Sequence, residues 1–402
     1  MPNTIWQFAT AQNLKFGRGC RQLLAAQLRR HQVRRPLIIT DANIAGTAVA
    51  ATWLDDLQAE IPLTIFDQCQ AEPSVAIAVA ACQAGRGAEV DGVIGLGGGS
   101  NMDVAKVAAT VLRHGGQPLD YSGFDRIPAA VLPLFALPTT AGTGSEVSHS
   151  AVLTDSQAQI KVSILSPWLR PTCALVDPEL TDSCPPQVTA HSGMDALVHA
   201  IEAYSNRDFS QMAGVAPQAR AYEGSYPLTR MLALEAIRLI GRSLLAAYQR
   251  PQDTAARDDM AMAATLAGMA FSNSGVGIVH ALEYPIGALT HCGHGEGNGL
   301  LLPHVMRYNL AVCRAQYAEI AAVWLGEQNS ETAASLSAER AIEIVEELLD
   351  KLGMTRRLRD FGMQASDIGA VAAKAFTIKR LMDVNRQAPR LQDLETIVRS
   401  AF

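Results

Sequence analysis

Residues 93–106 read VIGLGGGSNMDVAK. A short apolar run at 93–95 leads into Gly97-Gly98-Gly99-Ser100, and helical spacing begins near Asn101. This is the sequence of a buried strand, a tight turn and a helix, the repeating unit of a parallel sheet. Consecutive glycines let backbone N–H groups come close to phosphate oxygens, and a helix N-terminus adds a favourable dipole. Ser100 is a good helix cap, Asp103 three positions later completes a capping-box-like pattern, and both are candidate cofactor-binding residues. Read without the phosphate, the stretch is an ordinary glycine-rich turn.

Working outward, the same alternation fills the first half of the chain. Residues 36–40 (PLIIT), 63–66 (LTIF) and 132–137 (LPLFAL) read as buried strands, with helical spacing at 74–86 and 102–112. Strand-like runs VSIL and CALVD follow within 150–177. The pattern predicts an α/β domain over 1–185, a parallel sheet with helices on both faces. After about Pro185 the character changes. Ala/Leu-rich helical segments at 194–204, 228–248, 254–271, 305–325 and 331–352 predict an all-α domain over 186–402. Residues 208–226, rich in Gly, Ser and Pro, are the candidate for a long irregular loop. No repeat with a period of about 20 to 50 residues interrupts this plan.

Composition narrows the function classes. Of 402 residues, 49% are hydrophobic and 18% charged, which suits a large buried core rather than disorder. A formal net charge of -6 and the lack of a lysine-rich stripe argue against nucleic-acid binding. Seven cysteines stand singly, without CxxC spacing, so neither a disulfide framework nor a thiolate zinc site is expected. No basic segment followed by an apolar run opens the chain, and no stretch of about 18 apolar residues occurs. A cytoplasmic protein without membrane association is the expectation.

The glycine turn departs from the usual dinucleotide fingerprint, where an acid follows the glycines by about 20 residues. Here the candidate acid is Asp41, which ends the earlier strand at 36–40. An acid there accepts a free ribose 2′-hydroxyl and repels a 2′-phosphate, favouring NAD over NADP. Alternatively, Asp41 caps the next helix. A second polar loop, PTTAGTGSE at 138–146, follows the strand at 132–137 and offers Thr139, Thr140, Thr143 and Ser145 as further cofactor contacts.

Asp195 and His199 lie four residues apart in MDALVHAIEAY and share a helix face. His280 begins HALEYPIGAL, and His291 and His294 follow in HCGHGEG. Pro285 and Gly287 predict a break that lets the chain fold back between them. One carboxylate with several imidazoles suits a divalent first-row metal such as iron(II), zinc, manganese or cobalt. Each residue also has a plainer reading: His280 as a hydrogen-bonded core residue, Asp195 as a first-turn helix acid. On spacing alone His291 and His294 are interchangeable.

The blocks GLGGGSNMDVAK (95–106), PTTAGTGSEV (138–147), SGMDALVHAIEAY (192–204) and HALEYPIGALTHCGHGEGNGLLLPH (280–304) together resemble the iron-containing (group III) alcohol dehydrogenases. The resemblance implies an N-terminal dinucleotide-binding domain, a helical domain, and a metal in the cleft between them. It implies the ligand set Asp195, His199, His280 and His294, and so favours His294 over His291. It places Gly98, Gly99, Ser100, Thr139, Thr140, Thr143, Lys161 and Leu180 around NAD, with Asp41 at the NAD-selecting strand end. Fe2+ is the implied metal, with Zn2+ or another divalent ion as substitute, and a homodimer or higher homo-oligomer is the expected assembly.

One residue departs from the pattern. Many members carry a second histidine four positions after the third ligand; this chain has Tyr284. The hydroxyacid-oxoacid transhydrogenases look similar there and near 221–228. The expected activity is hydride transfer between NAD and a primary alcohol or hydroxyacid, with Tyr284 as the candidate catalytic side chain. The alternatives are a transhydrogenase that keeps its NAD bound and, more remotely, a lyase resembling the sugar-phosphate cyclases.

Overall fold

The structure, a computed structural model, describes residues 4–158, 160–212, 220–326 and 337–402. The chain divides into two compact units: Thr10–Pro185, and Pro186–Phe402 with the residues up to Ala9.

In the first unit, β1 (Leu14–Phe16), β2 (Pro36–Ile39), β3 (Thr64–Phe66), β4 (Gly92–Gly97), β6 (Leu134–Pro138) and β9 (Cys173–Val176) form one sheet in the order β1-β9-β6-β4-β2-β3. Every pairing in it is parallel. Strand side chains alternate between faces, and here both faces are apolar. Ile38, Ile94, Leu96, Phe135 and Leu137 pack with Leu24, Leu28, Trp53 and Leu57. Leu37, Ile39, Val93 and Leu134 pack with Ala78, Ala81, Val104 and Ala108 on the other. The first set of helical partners comes from α1 (Leu24–Arg30) and α3 (Ala48–Glu60). The second comes from α4 (Val75–Gly87) and α5 (Gly99–His114). Burial on both sides is why these strands read as continuous hydrophobic runs.

Strand order reverses once between β2 and β4: the chain steps from β2 to β3 on one side, then to β4 on the other. In open α/β sheets such a switch point opens a crevice at the carboxyl ends of the strands. Asp41 follows β2 and the glycine turn follows β4, so the topology sets both at that crevice.

The three-residue β1 is too short to show a period and was not legible as a strand. The VSIL run does lie in a strand, β8 (Ile160–Leu165), but β8 pairs antiparallel with β7 (Ser150–Asp155) in a second sheet of order β5-β8-β7, where β5 is Gly123–Phe124, instead of joining the parallel sheet.

The second unit is helical: α6 (Pro186–Ser205), α7 (Pro227–Gln249), α8 (Thr254–Ser274), α9 (Ile278–Thr290), α10 (His294–Leu325) and α11 (Ala338–Lys351) are its longest elements. Gly193 of α6 meets Leu244 of α7 so closely that a Cβ would lie 2.2 Å from its side chain. Among the described residues no single helix is long and apolar enough to cross a membrane. α8 and α9 reach that length and apolarity only as a pair bent by 102°.

The expected break at Pro285 and Gly287 does not occur. Pro285 sits inside α9, which runs on to Thr290. The reversal falls later, where His291 takes a left-handed conformation (φ 56°) and Gly293 caps α10. Of the irregular stretch 208–226, residues 213–219 lie outside the described residues, as do 327–336, where the helix expected at 331–352 was to begin.

Candidate dinucleotide and metal sites

In the α/β unit, α5 starts one residue before Ser100, with Gly98 as its N-cap and no side-chain cap bond. The first N–H groups of a helix have no intrahelical partners. Left without a side-chain cap, they suit an anion. Gly97 has φ +148°, and a Cβ there would fall 1.9 Å from Asn101 Nδ2. On Gly99 it would fall 2.8 Å from the Thr143 side chain. The turn therefore requires glycine at both positions, and its bare backbone fits a pyrophosphate.

Asp103 does not close a capping box. Its Oδ1 accepts from Ser145 Oγ at 2.8 Å and its Oδ2 from the Val152 N–H at 2.9 Å. One turn on, the buried Lys106 Nζ donates to Ser145 Oγ (2.9 Å), Ser148 Oγ (3.0 Å) and the Ser150 carbonyl (2.8 Å). Burial brings the Lys106 ammonium down to about 8, against the upward pull of Asp103 and Glu146. The strand face of α5 thus fastens the loop after β6 to the helix that carries the glycines. Thr139 joins them by donating its N–H to Gly97 O at 3.0 Å, and the Thr140 side chain borders Gly98.

Asp41 does cap a helix. Its Oδ1 accepts from Asn43 and Ile44 N–H groups at the start of α2 (Ala42–Ala45), while Oδ2 accepts from Asn101 Nδ2 at 2.9 Å. Capping and a cofactor contact are not exclusive, because a carboxylate has more lone pairs than this cap uses. Leu180 is buried just after β9, packed in the same cluster as Leu96 and Leu137. Lys161 lies on β8, in the three-stranded sheet, and its ammonium pairs with Glu72 at 3.1 Å.

In the helical unit, α6 presents Asp195 and His199, α9 presents His280 at its third residue, and α10 begins with His294. Ligand atoms of Asp195, His280 and His294 all lie within 4.8 Å of one another. Nε2 of His280 and Nε2 of His294 are each 3.8 Å from Asp195 Oδ1. His199 stands outside this tight set. It stacks on His280 with ring centroids 4.7 Å apart and on Phe271 at 4.2 Å, with Nδ1 3.9 Å from Asp195 Oδ2. His291 is the exposed cap of α9.

The far sides of the two imidazoles are held by carboxylates. His280 Nδ1 lies 2.7 Å from Glu202 Oε2, and His294 Nδ1 lies 2.6 Å from Glu283 Oε2. Each carboxylate accepts the Nδ1–H, which leaves the Nε2 lone pairs facing Asp195. This is how metal-binding histidines are commonly oriented, and an oxygen and nitrogen donor set without thiolate suits a divalent first-row ion. Burial pushes the Asp195 carboxyl up, but His199, His294 and His280 together with the Asn298 amide outweigh it and hold Asp195 at about 2. Asn298 Nδ2 donates to Asp195 Oδ1 at 2.8 Å.

Glu202, Glu283 and Asn298 were absent from the sequence-derived set, although helical spacing marks them. Glu202 is seven residues after Asp195, Glu283 three after His280, and Asn298 four after His294. Tyr284 is half-buried on α9, its ring centroid 6.2 Å from that of His294.

Residues 11–178 match the model of the iron-containing alcohol dehydrogenases, and 189–402 match that of the C-terminal region of the Fe-containing alcohol dehydrogenase family. The chain is 32% identical over 387 residues to the NAD-dependent methanol dehydrogenase of Bacillus methanolicus, covering 96% of this chain and 97% of that one. It is 35% identical over 391 residues to long-chain-alcohol dehydrogenase 1 of Geobacillus thermodenitrificans, covering 96% and 94%. A crystal structure of 1,3-propanediol oxidoreductase superposes with a TM-score of 0.89 at 30% identity, covering 99% of this chain and all of that one. With both of its units matched in order, the chain belongs to the iron-containing alcohol dehydrogenase family.

Proposed function

We propose that this chain is a metal-dependent, NAD-linked alcohol dehydrogenase that interconverts a primary alcohol or hydroxyacid and its oxo form. The observation that carries the reading is the convergence of Asp195, His280 and His294, with both imidazoles backed by glutamates. Asp195, His199, His280 and His294 are the residues proposed to hold iron(II) or a related divalent ion. The chemistry these groups supply when bound is polarisation of an alcohol or carbonyl oxygen by the ion and acceptance or return of a hydride by nicotinamide.

The chain's own residues orient and hold. The uncapped start of α5 and the Thr139–Ser145 loop offer donors to a pyrophosphate and ribose, and Asp41 offers an acceptor to the 2′-hydroxyl. Glu202 and Glu283 keep protons on the Nδ1 atoms of His280 and His294, so that both Nε2 atoms remain donors to the ion. Tyr284 offers a phenol that can hydrogen-bond a substrate oxygen. Residues 1–185 are read as the NAD-binding domain and 186–402 as the metal and substrate domain. None of the seven cysteines is in a disulfide, which suits a reducing, cytoplasmic setting, and a homo-oligomer is the proposed assembly.

The test is a panel of alcohols, aldehydes and hydroxyacids with NAD or NADH, on protein whose metal content has been measured. NADH absorbance should appear with at least one alcohol. Metal-loaded protein that turns over none of them would overturn the reading.

A further inference from the structure

Asn101 is buried at 3% exposure in the first turn of α5, between the two strand ends that flank the switch point. Its Nδ2 donates twice: to Asp41 Oδ2 at 2.9 Å, beyond β2, and to the Leu96 carbonyl at 3.1 Å, within β4. An amide nitrogen has two hydrogens, so both are used. Gly97, directly beneath, has no Cβ, and any Cβ there would strike this amide. Asn101 and Gly97 therefore fit as a pair.

The consequence falls on Asp41. Its Oδ1 already accepts two backbone N–H groups, from Asn43 and Ile44. Its Oδ2 accepts one bond, from Asn101, which leaves that oxygen one open lone pair. The cap fixes one oxygen and the amide fixes the other, so the carboxylate plane cannot turn. A ribose 2′-hydroxyl can donate to the remaining lone pair, whereas a 2′-phosphate has nothing to donate and carries like charge. The Leu96 bond ties this carboxylate to the root of the glycine turn.

We propose that Asn101 is a specificity-determining residue that acts through Asp41, locking the carboxylate at a fixed place relative to the glycine turn so that it accepts NAD and rejects NADP. The inference rests on the dinucleotide site of the proposed function.

The experiment is fluorescence titration of the full chain with NADH and with NADPH, using wild type, Asn101→Ala, Asp41→Ala and the double variant. Wild type should prefer NADH. Asn101→Ala should lower the NADH-to-NADPH preference by about tenfold, the scale of one charge-assisted hydrogen bond. In the Asp41→Ala background the same change should leave the ratio where Asp41→Ala put it, since the effect passes through the carboxylate. Should Asn101→Ala fail to fold, Asn101→Ser, whose short hydroxyl cannot span both acceptors, gives the same comparison. Equal weakening of both cofactors would reduce Asn101 to a structural role and overturn the proposal, as would a ratio change that persists without Asp41. Wild type that binds both equally overturns the Asp41 reading and this inference with it. Wild type that binds neither overturns the dinucleotide site itself.

Discussion

Glu202 Oε2 lies 2.7 Å from His280 Nδ1, and the other oxygen of the same carboxylate accepts the Val279 N–H at 2.8 Å. One buried glutamate thus fixes both the ring and the backbone at the start of α9. A neutral imidazole has a single N–H, and the hydrogen bond decides which nitrogen carries it. With Nδ1–H given to Glu202, Nε2 keeps its lone pair, which faces the Asn298 amide nitrogen at 3.2 Å and is the one that would bind an ion. Replacing Glu202 with Gln removes the charge that holds this tautomer, and such outer partners typically account for about 10- to 100-fold in metal affinity. Glu202→Gln should therefore lose metal to a chelator at a concentration the wild type withstands, with an unchanged circular dichroism spectrum. Equal chelator resistance would show that the pair serves packing alone.

Removing His280 itself is the harsher test of the donor set. His280 is 2% exposed and stands at the centre of the cluster, in ring contact with both His199 and His294. His280→Ala should abolish both metal retention and turnover while the helical unit remains folded. Elemental analysis decides it, and a variant that still carries stoichiometric metal would refute the assignment.

How much of this was legible beforehand follows from what each signal depends on. The doubly buried strands at 36–39 and 92–97 announced themselves because both faces need apolar residues. Asp195 and His199 were visible because four residues make one helical turn. The network under the glycine turn was not: Lys106 finds Ser145, Ser148 and Ser150 about 40 positions away, and only the β4–β6 pairing brings them together. Pro285 misled for a different reason. A proline removes one helical bond and disfavours a helix interior, yet α9 is buried on nearly every side from Ile278 to Gly287, Pro285 included, and continues through it. Packing outweighs propensity there.

Lys106 gives a prediction about stability and pH. Burial places its folded value near 8, below the ordinary 10.5 of an exposed lysine. Below about pH 8 the group is charged in both folded and unfolded chains, so the full cost of burying the charge is present. Between about pH 8 and 10.5 the unfolded chain binds a proton that the folded chain has released, and unfolding free energy rises with pH. The gain approaches about 1.4 kcal/mol per pH unit, or about 3 kcal/mol across the interval. Lys106→Met should lack this rise. Denaturant unfolding of both proteins from pH 7 to 10.5 isolates the difference, and parallel curves would mean that the lysine holds its proton throughout.

Tyr284 is where the sequence leaves its family's commonest pattern, and its setting makes the outcome specific. It follows His280 by one helical turn, adjoins Glu283, which holds His294, and lies with its ring 6.2 Å from the His294 ring. It is half-buried, so the phenol is neither sealed in the core nor lost to solvent. A phenol titrates near about 10, an imidazole near about 6.5. A histidine at this place would change charge in the working range of a dehydrogenase, whereas a tyrosine keeps its proton and acts as a hydrogen-bond donor. Tyr284→Phe should therefore lower turnover moderately, by about tenfold or less, the cost of one neutral hydrogen bond to substrate. Metal content should stay at the wild-type level, because no ligand atom is touched. Tyr284→His should introduce an inflection in the rate profile near neutral pH that the wild type lacks. Kinetics unaltered in both variants between about pH 6 and 9 would show that Tyr284 only packs α9 against its neighbours, and that the proton leaves by another route.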